Sequence, residues 1–373
     1  MPSKSVLISG AGVAGTTLAY WLARHGFQPT VVERSQGLRS SGNPVDVRGP
    51  ALPVAEQMGI VPRLRDAATQ ATAMSIVDTS GRQVARVSMP ATRSAAGTRE
   101  VELPRGDLAA ALYEAARDDA EFLFDDTIVT LRQDEYGVDV TFDHAAPRRF
   151  DLIVGADGLH STVRRLAFGR ELDFVRHVGL YVATMPLDGS VDHPHDVLMY
   201  NTPGRLVSIH PSRGHALAAF IFRSPTITDF DYRDTEQHKR IVTNAYASAG
   251  WRVPELLERL QKTEDLYFDS VSRVGLPAWA RGRIVLLGDA ASCVSLFGDG
   301  SSLAMAGAYT LAKALAVEAA DHAKAFRSYE TEHRTLVDPK QRNVGWAAAL
   351  LVPKTRPGIA ARNLAARVWL SRR

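Results

Sequence analysis

Short apolar runs alternate with amphipathic segments along much of this 373-residue chain. Residues 5–9 are largely apolar, and the following segment places small and apolar side chains on one helical face before Gly26. Residues 30–32 then form a second apolar run. Continuous apolar runs are typical of buried parallel strands, and a spacing of three to four residues is typical of helices. The pattern therefore predicts a strand, a helix and a second strand at the start of the chain.

Two later apolar runs end at a glycine beside a carboxylate. One ends in Asp157-Gly158, and the other, residues 284–287, is followed by Gly288-Asp289. Open α/β sheets bind their ligands beyond the carboxyl ends of the strands. We therefore expect both carboxylates to lie at the ligand-binding edge of the same sheet as the first strands.

The pattern changes to alternation of apolar and polar residues between residues 180 and 223, in LYVATMPL, DVLMYN, RLVSIHP and ALAAFIFR. This period of two predicts antiparallel strands of a second sheet, separated by loops at 186–196 and 224–235. One face of such a sheet would cover a ligand, but alternation does not tell which. The candidate ligand-facing side chains are Tyr200, His210, Phe220 and Phe222.

The first predicted turn carries a glycine motif, Gly10-Ala11-Gly12-Val13-Ala14-Gly15. In this pattern the first glycine makes the tight turn, the second lets the backbone approach a pyrophosphate, and the third allows close helix packing. Glu33 follows 23 residues after Gly10, where an acid can accept a ribose hydroxyl. Its charge disfavours a phosphorylated ribose, so the motif predicts tightly held FAD or NAD rather than NADP.

Asp289 and the segment after it add a second ligand signal. A carboxylate at that strand end can accept hydrogen bonds from the hydroxyls of a ribityl chain. Further on, Gly300, Ser301 and Ser302 precede an apolar-periodic segment, so their backbone amides are predicted to lie at a helix N-terminus. Such a terminus attracts anions, and the pyrimidine ring of a reduced flavin is anionic. Together these features favour a flavin as the ligand.

With these three segments in this order, the chain resembles the FAD-dependent aromatic hydroxylases of the para-hydroxybenzoate hydroxylase type. The shared landmarks are the glycine motif, the segment of Asp157 and Gly158 with Ser161 and Arg164 behind it, and Gly288-Asp289. The resemblance adds Arg48 near the FAD pyrophosphate and Arg105 as a further cofactor contact. We also predict that Arg34, next to Glu33, contacts the cofactor. It covers about residues 1–352.

The resemblance implies an FAD monooxygenase that takes electrons from NADPH or NADH. It would hydroxylate an aromatic or polycyclic small molecule with dioxygen through a flavin hydroperoxide. The nicotinamide would bind transiently near Asp157, Arg164 and Arg165. No residue is identified as a catalytic base, and either a monomer or a homodimer is compatible with this resemblance.

The implied fold class is α/β, with a Rossmann-like FAD-binding domain, an inserted and mainly antiparallel substrate domain, and a C-terminal helix. We expect the FAD domain to comprise residues 1–70, 100–178 and 275–330. The substrate domain would comprise 71–99 and 179–274, and 331–373 would form the C-terminal helical segment.

The loop after Asp289 departs from the family. Where relatives have proline and histidine, this chain has residues 292–297 as Ser-Cys-Val-Ser-Leu-Phe, and Ser302 replaces an asparagine. Phe297 is therefore a candidate substrate contact, but other substrate contacts cannot be transferred. The short chain and its ending, AALLVPKTRPGIAARN, are similar to the tetracycline-inactivating members.

There are two alternatives to the monooxygenase, one of another function class and one within the enzyme class. A flavin-binding protein of a non-catalytic or oxidase type would share the fold, because fold alone does not fix function. A flavin-dependent halogenase is disfavoured, since none of the tryptophans forms a WxWxIP segment.

Composition limits the possible compartment of the protein and the bonds that its side chains can form. With 45% hydrophobic residues the chain can form a sizeable core, and its single cysteine, Cys293, excludes an intramolecular disulfide. We interpret Cys293 as an inert small residue rather than a flavin attachment point. Without a visible leader or an apolar stretch long enough to span a bilayer, we predict a cytoplasmic protein. His193 and His195 lack further ligands nearby in sequence, so we predict a solvated loop and no metal site.

The C-terminal tail is basic. Eight lysines and arginines follow Asp338 with no acid among them, so the rest of the chain is net acidic although the total is +3. Because the basic residues are confined to one tail, nucleic-acid binding is not expected. Residues 357–373 could form a helix that docks across the domains, which we favour, or that lies on anionic lipid.

Overall fold

The computed structural model describes residues 3–38, 42, 44–69, 71–88, 100–187, 193–211, 216–293 and 299–370. The strands in these ranges are β1 (Ser5–Ser9), β2 (Gln28–Glu33), β3 (Val45–Val47), β4 (Ala73–Val77), β5 (Gln83–Ser88), β6 (Val101–Leu103), β7 (Glu121–Phe124), β8 (Ile128–Gln133), β9 (Val138–Phe142), β10 (Arg148–Phe150), β11 (Leu152–Gly155), β12 (Val175–Leu187), β13 (Asp196–Thr202), β14 (Arg205–His210), β15 (Ala216–Arg223), β16 (Tyr267–Val274), β17 (Ala280–Arg281) and β18 (Ile284–Leu286).

The helices in the same ranges are α1 (Val13–Arg24), α2 (Ala51–Gln57), α3 (Val61–Asp66), α4 (Arg105–Ala116), α5 (Thr162–Ala167), α6 (Glu171–Phe174), α7 (Thr235–Tyr246), α8 (Val253–Lys262), α9 (Asp289–Ser292), α10 (Asp299–Val317), α11 (His322–Leu351) and α12 (Arg356–Leu370). No helix among the described residues combines the length and apolar character that a membrane span requires.

A six-stranded sheet of order β17-β18-β11-β1-β2-β7 forms the centre of the first unit. Its strands are parallel except for β17 at one edge. Leu7 and Ile8 of β1 are fully buried, as expected for a strand with packed layers on both faces. Helix α1 returns the chain from β1 to β2 and packs against α4 and α10.

A seven-stranded sheet of order β16-β12-β15-β14-β13-β4-β5 forms the second unit. Its pairings are antiparallel apart from β13 with β4. One face forms an apolar cluster with α7 and α8, which includes Phe220, Tyr246 and Leu256. The other face carries Leu206 and Ile221 and packs on Ala348 and Val352 around the end of α11.

The last two helices connect the units. Helix α11 packs against α10 and also touches β12 and β17, and α12 lies on β5 and β13. On α12, Arg362 donates a 2.9 Å hydrogen bond to the Asn201 side chain. The chain thus has the predicted α/β class, with a Rossmann-like unit, a mainly antiparallel second sheet and a C-terminal helix.

Candidate functional site

Four adjacent strands bring the predicted motif residues to one edge of the six-stranded sheet. In the order β2-β1-β11-β18, the strands end at Glu33, Ser9, Gly155 and Leu286. Gly10 follows β1, Asp157 follows β11, and Asp289 begins α9 just beyond β18. Neighbouring strands are about 4.8 Å apart, so Glu33 and Asp289 lie roughly 14 Å apart across the edge. This is an elongated site at the carboxyl ends of parallel strands.

The three glycines of the first turn meet different steric demands. Gly10 has φ +104°, and a Cβ there would lie 2.6 Å from the Ala156 carbonyl oxygen. A Cβ on Gly15 would lie 1.9 Å from the carbonyl oxygen of Gly10, so helix and turn touch backbone to backbone. A Cβ on Gly12 would meet no atom within 4 Å. Gly12 therefore faces open space where a ligand backbone can approach.

Glu33 is held in place by the same turn. Its Oε2 accepts a 2.9 Å hydrogen bond from the amide of Ala11, and its Oε1 accepts one of 3.0 Å from the amide of Ser35. These bonds fix the carboxylate at the end of β2 while leaving acceptor capacity for a ribose hydroxyl.

The motifs line one continuous cleft with two lobes of about 920 and 1050 Å³, which include space open to solvent. The first lobe contains Glu33 and Arg34, and the second contains Asp289, Gly300 and Ser301. Both lobes share the following residues: Gly12, Val13, Arg105, Ala156 and Gly158. The shared residues mark the midpoint of the cleft, and Ala14 lines its second lobe.

Arg105 supplies positive charge at this midpoint. It is the first residue of α4, and it pairs with no carboxylate in the part of the chain that the structure describes. Arg48, which the resemblance places near the pyrophosphate, is paired with carboxylates, because it donates to Asp299 at 2.7 Å and lies 3.4 Å from Asp46. Arg105 is therefore the cation at the midpoint of the cleft, and Arg48 instead ties β3 to the start of α10.

Asp289 and the start of α10 form the far end of the second lobe. Burial raises the pKa of Asp289, although the nearby charge of Arg105 and a hydrogen bond from the Cys293 thiol oppose that rise. Ser301 and Ser302 each donate a 2.7 Å hydrogen bond to the carbonyl oxygen of Asp46. These bonds hold the N-terminus of the 19-residue helix against the cleft.

The Asp157 segment has a structural role that corrects part of the sequence prediction. Asp157 accepts hydrogen bonds from the Ser161 hydroxyl and the Val163 amide, which fold the loop onto α5. Arg164 is 1% exposed and donates to the carbonyl oxygens of Ala290 and Leu159. Because it is buried and committed to carbonyls, the prediction that Arg164 contacts a nicotinamide is wrong. Arg165 is exposed.

The second sheet covers the Asp289 lobe. Val182, Ile221 and Val271 line it from β12, β15 and β16, together with Tyr267. The prediction did not include Tyr267, which lies close enough to Asp289 and Arg105 for their charges to act on its phenol, and burial raises its pKa. The alternating segment LYFDSV could have revealed it, but only the pairing with β12 shows which face it occupies.

Three predicted substrate contacts lie on the opposite face of this sheet. Tyr200, Phe220 and Phe222 belong to the cluster packed on α7 and α8. Phe220 and Phe222 both contact the ring of Tyr246, on α7. This placement contradicts their prediction as cleft residues, because successive strand residues point to opposite faces. His210 lies on the cleft side, and Phe297 is outside the described residues.

His160, which no sequence motif singles out, joins the two units beside the first lobe. Its Nδ1 lies 2.9 Å from Glu171 Oε1, and its Nε2 lies 3.2 Å from Asp269 Oδ1. Its ring also stacks on Tyr232 at 4.3 Å. Burial acts to lower the pKa of His160, but the two carboxylates outweigh it and raise the pKa to about 9. The side chain is therefore an imidazolium at neutral pH.

The donor set of this cleft fits FAD. The cleft contains, in order along its length, an acid for the ribose, open space beside Gly12, an arginine at the midpoint, and a buried carboxylate with a helix N-terminus. Burial disfavours the charged form of Asp289 and so raises its pKa. Hydrogen bonds donated by the hydroxyls of a ribityl chain would stabilise that charged form. No three His, Cys, Asp or Glu side chains among the described residues form a metal-binding group.

Comparison with known proteins supports FAD binding by this chain. The family model described as FAD binding domain matches residues 3–340. An uncharacterized protein of Mycobacterium tuberculosis is 38% identical over 358 residues, which cover 95% of each chain. A flavin-dependent monooxygenase of Legionella longbeachae is 34% identical over 355 residues, covering 94% of this chain and 90% of the relative.

Among solved structures, tetracycline destructase Tet(55) superposes with a TM-score of 0.85 at 32% identity, covering 98% of this chain and 96% of the other. The chain therefore belongs to the FAD-binding flavoprotein monooxygenase family.

Proposed function

We propose that this protein uses NADPH or NADH and dioxygen to hydroxylate an aromatic or polycyclic small molecule. The observation that carries the proposal is the continuous cleft from Glu33 past Arg105 to Asp289, covered at the Asp289 end by Val182 and Ile221. Bound FAD would supply the redox chemistry that activates dioxygen. The protein would supply binding, orientation and exclusion of water.

Each motif residue then has a defined task in holding FAD. Glu33 would accept a ribose hydroxyl, Gly12 and Arg105 would hold the pyrophosphate, and Asp289 would accept ribityl hydroxyls. The amides at the start of α10 would stabilise negative charge on the pyrimidine ring, because a helix N-terminus carries partial positive charge.

The substrate would bind between this end of the cleft and the second sheet. Val182, Ile221 and Val271 offer an apolar surface there, which suits a flat ring system and limits access of water. A tetracycline is the first substrate to test, since a tetracycline destructase shares the fold over nearly the whole chain.

The test is a turnover assay with the FAD-loaded enzyme under isotopically labelled dioxygen. We expect tetracycline or another polycyclic phenol to accelerate NAD(P)H oxidation and to give a product heavier by one labelled oxygen atom. NAD(P)H oxidation with peroxide release and no labelled product would instead favour the oxidase alternative. An FAD-loaded protein that no substrate stimulates would favour a non-catalytic flavoprotein.

A further inference from the structure

A loop of the second unit contacts the nucleotide end of the cleft. Residues 224–234 connect β15 to α7, and Tyr232 lies near their end. Its ring stacks on the ring of His160, with centroids 4.3 Å apart and planes inclined by 8°. The guanidinium carbon of Arg34 lies 5.5 Å from the centre of the same ring. Because His160 and Arg34 both line the first lobe, Tyr232 joins two walls of that lobe.

The two walls follow different strands of the first sheet. Arg34 follows β2 and His160 lies in the loop after β11, with β1 between these strands. Neighbouring strands are about 4.8 Å apart, so the ends of β2 and β11 are about 10 Å apart. The glycine turn of residues 10–12 follows β1 and lies between them. The ring of Tyr232 therefore forms a bridge across the turn beside which the FAD pyrophosphate is proposed to bind.

The loop that carries Tyr232 is braced by its own unit. The side chain of Gln237, on α7, accepts a 3.0 Å hydrogen bond from the amide of Asp231 and donates one of 2.9 Å to the carbonyl oxygen of Asp229. The amide of Arg233 donates a 2.9 Å hydrogen bond to the Asp231 carboxylate. The backbone around Tyr232 is thus fixed to α7. Its ring leaves the bridge only if its side chain turns or the two units move apart.

Cations surround the ring of Tyr232. His160 and Arg34 approach it from the first unit, and the guanidinium carbon of Arg233, in its own loop, lies 5.2 Å from the ring centre. The face of an aromatic ring attracts a cation within about 6 Å. Charge as well as packing therefore holds Tyr232 against the first unit.

The charge of His160 depends on its neighbours. Asp269 on β16, Glu171 on α6 and the phenol ring of Tyr232 face it, and Arg164 of α5 lies 3.8 Å from Glu171. Burial acts to lower the pKa of His160, but the two carboxylates raise it to about 9. The ring stacked on Tyr232 is therefore a cation at neutral pH and becomes neutral as the pH rises past 9.

We propose that Tyr232, with His160 and Arg34, forms a latch over the nucleotide end of the cleft that sets the rate at which FAD enters and leaves. The latch joins protein groups only, so it stabilises the closed form equally with and without FAD. Such a latch changes the rates of binding and release by the same factor and leaves the affinity unchanged. This inference rests on the proposed placement of FAD in the cleft, but its test needs neither a substrate nor NAD(P)H.

The test measures both rate constants by flavin fluorescence. Association is followed after FAD is mixed with apoprotein, and release is followed after rapid dilution of the FAD-loaded protein. Tyr232→Ala removes the ring and its cation contacts, so both rates should rise about tenfold while Kd changes by less than about twofold. Tyr136→Ala is the matched control, since Tyr136 is 79% exposed on the turn between β8 and β9, and it should leave both rates unchanged.

A second substitution at the same position has the opposite sign. Tyr232→Trp should slow both association and release, because the indole is the strongest aromatic partner of a cation. General damage to the fold would not slow release. A Tyr232→Trp protein that exchanges FAD faster than the wild type would therefore overturn the latch.

The pH dependence of release gives an independent readout. Release from the wild type should accelerate between pH 7 and 9.5, because the closed form loses its imidazolium there. His160→Gln should release FAD faster than the wild type at pH 7 and should lack this acceleration. The same pH dependence in both proteins would contradict the role of His160 and with it the latch.

The outcomes separate this inference from the proposed function. If Tyr232→Ala exchanges FAD at wild-type rates, the latch is wrong and the proposed function stands. If only its release rate rises, Tyr232 contacts FAD directly and the latch is again wrong. If Gly12→Val binds FAD as tightly as the wild type, FAD does not lie beside this turn, and its proposed placement fails together with the latch.

Discussion

The imidazole of His160 lies 3.2 Å from the carboxylate of Asp269, and this contact joins the loop after β11 to the first strand residues of β16. It connects the nucleotide-binding unit to the sheet that covers the cleft. A second carboxylate, Glu171, approaches the other ring nitrogen and itself lies 3.8 Å from Arg164. The fold therefore contains a charged junction between its two units.

This junction predicts a pH-dependent stability. The pKa of His160 is raised from 6.5 to about 9, so its contribution is complete below pH 6.5 and is lost as the pH rises towards 9. His160→Gln should lower the free energy of unfolding by at most about 3 kcal/mol at pH 6, at about 1.4 kcal/mol per pKa unit, and by much less at pH 9.5. Urea denaturation across that range measures the difference. Asp269→Asn should show part of the same pH-dependent loss of stability. A difference in unfolding free energy between wild type and His160→Gln that stays constant with pH would contradict the prediction.

Asp289 should determine how tightly FAD is held. Asp289→Asn keeps the side-chain volume but removes the charged acceptor, which is worth about 1.5–3 kcal/mol per hydrogen bond, or about ten- to a hundredfold in affinity. The protein should therefore purify pale, as the flavin-to-protein absorbance ratio will show. Asp321→Asn is the control, since Asp321 caps α11 away from the cleft and asparagine caps equally well. Equal FAD content in both variants would remove Asp289 from the site.

Two glycine substitutions should separate cofactor binding from folding. Gly12 has an extended backbone conformation that any residue can adopt, and a Cβ there enters open space, so Gly12→Val should fold but fail to retain FAD. Gly15→Ala forces a Cβ against the Gly10 carbonyl and should cost about 3 kcal/mol or more of folding stability. Melting curves of the apoproteins together with FAD titration test both. A Gly12→Val protein that binds FAD normally would exclude a pyrophosphate beside this turn.

The two arginines should differ in their effect on FAD. Arg105→Gln removes the cation at the midpoint of the cleft and should weaken FAD binding about tenfold or more and reduce its dependence on salt. Arg48→Gln should weaken it less, because Arg48 is already paired with Asp299 and Asp46. Fluorescence titration of the apoproteins at two salt concentrations gives the comparison. If Arg48→Gln has the larger effect, the assignment of Arg105 as the pyrophosphate cation is wrong.

The local signals predicted which chain positions meet at the ligand-binding edge of the sheet, and their role in holding the cofactor stays a prediction. Gly10, Glu33, Asp157 and Asp289 each follow an apolar run directly in sequence, and parallel strands bring such positions to one edge. The sequence did not predict that Arg105 rather than Arg48 lies at the midpoint of the cleft, because the contacts that decide this join distant segments. Arg48 pairs with Asp299 and Asp46, whereas Arg105 lines both lobes of the cleft.

The sequence by itself determined the α/β class and the chain positions of the nucleotide motifs, because strand exits and helix periodicity are local properties, and its resemblance to the FAD-dependent aromatic hydroxylases indicated the family. Only the tertiary structure decided which face of the second sheet covers the cleft. Alternation with a period of two is equally regular on both faces of a sheet. Because α7 and α8 pack on Phe220 and Phe222, the residues Thr184, Ile221 and Tyr267 lie on the opposite face, which covers the cleft. The His160 junction could not be predicted from the sequence either, because His160, Glu171 and Asp269 lie on separate segments that only the fold brings together.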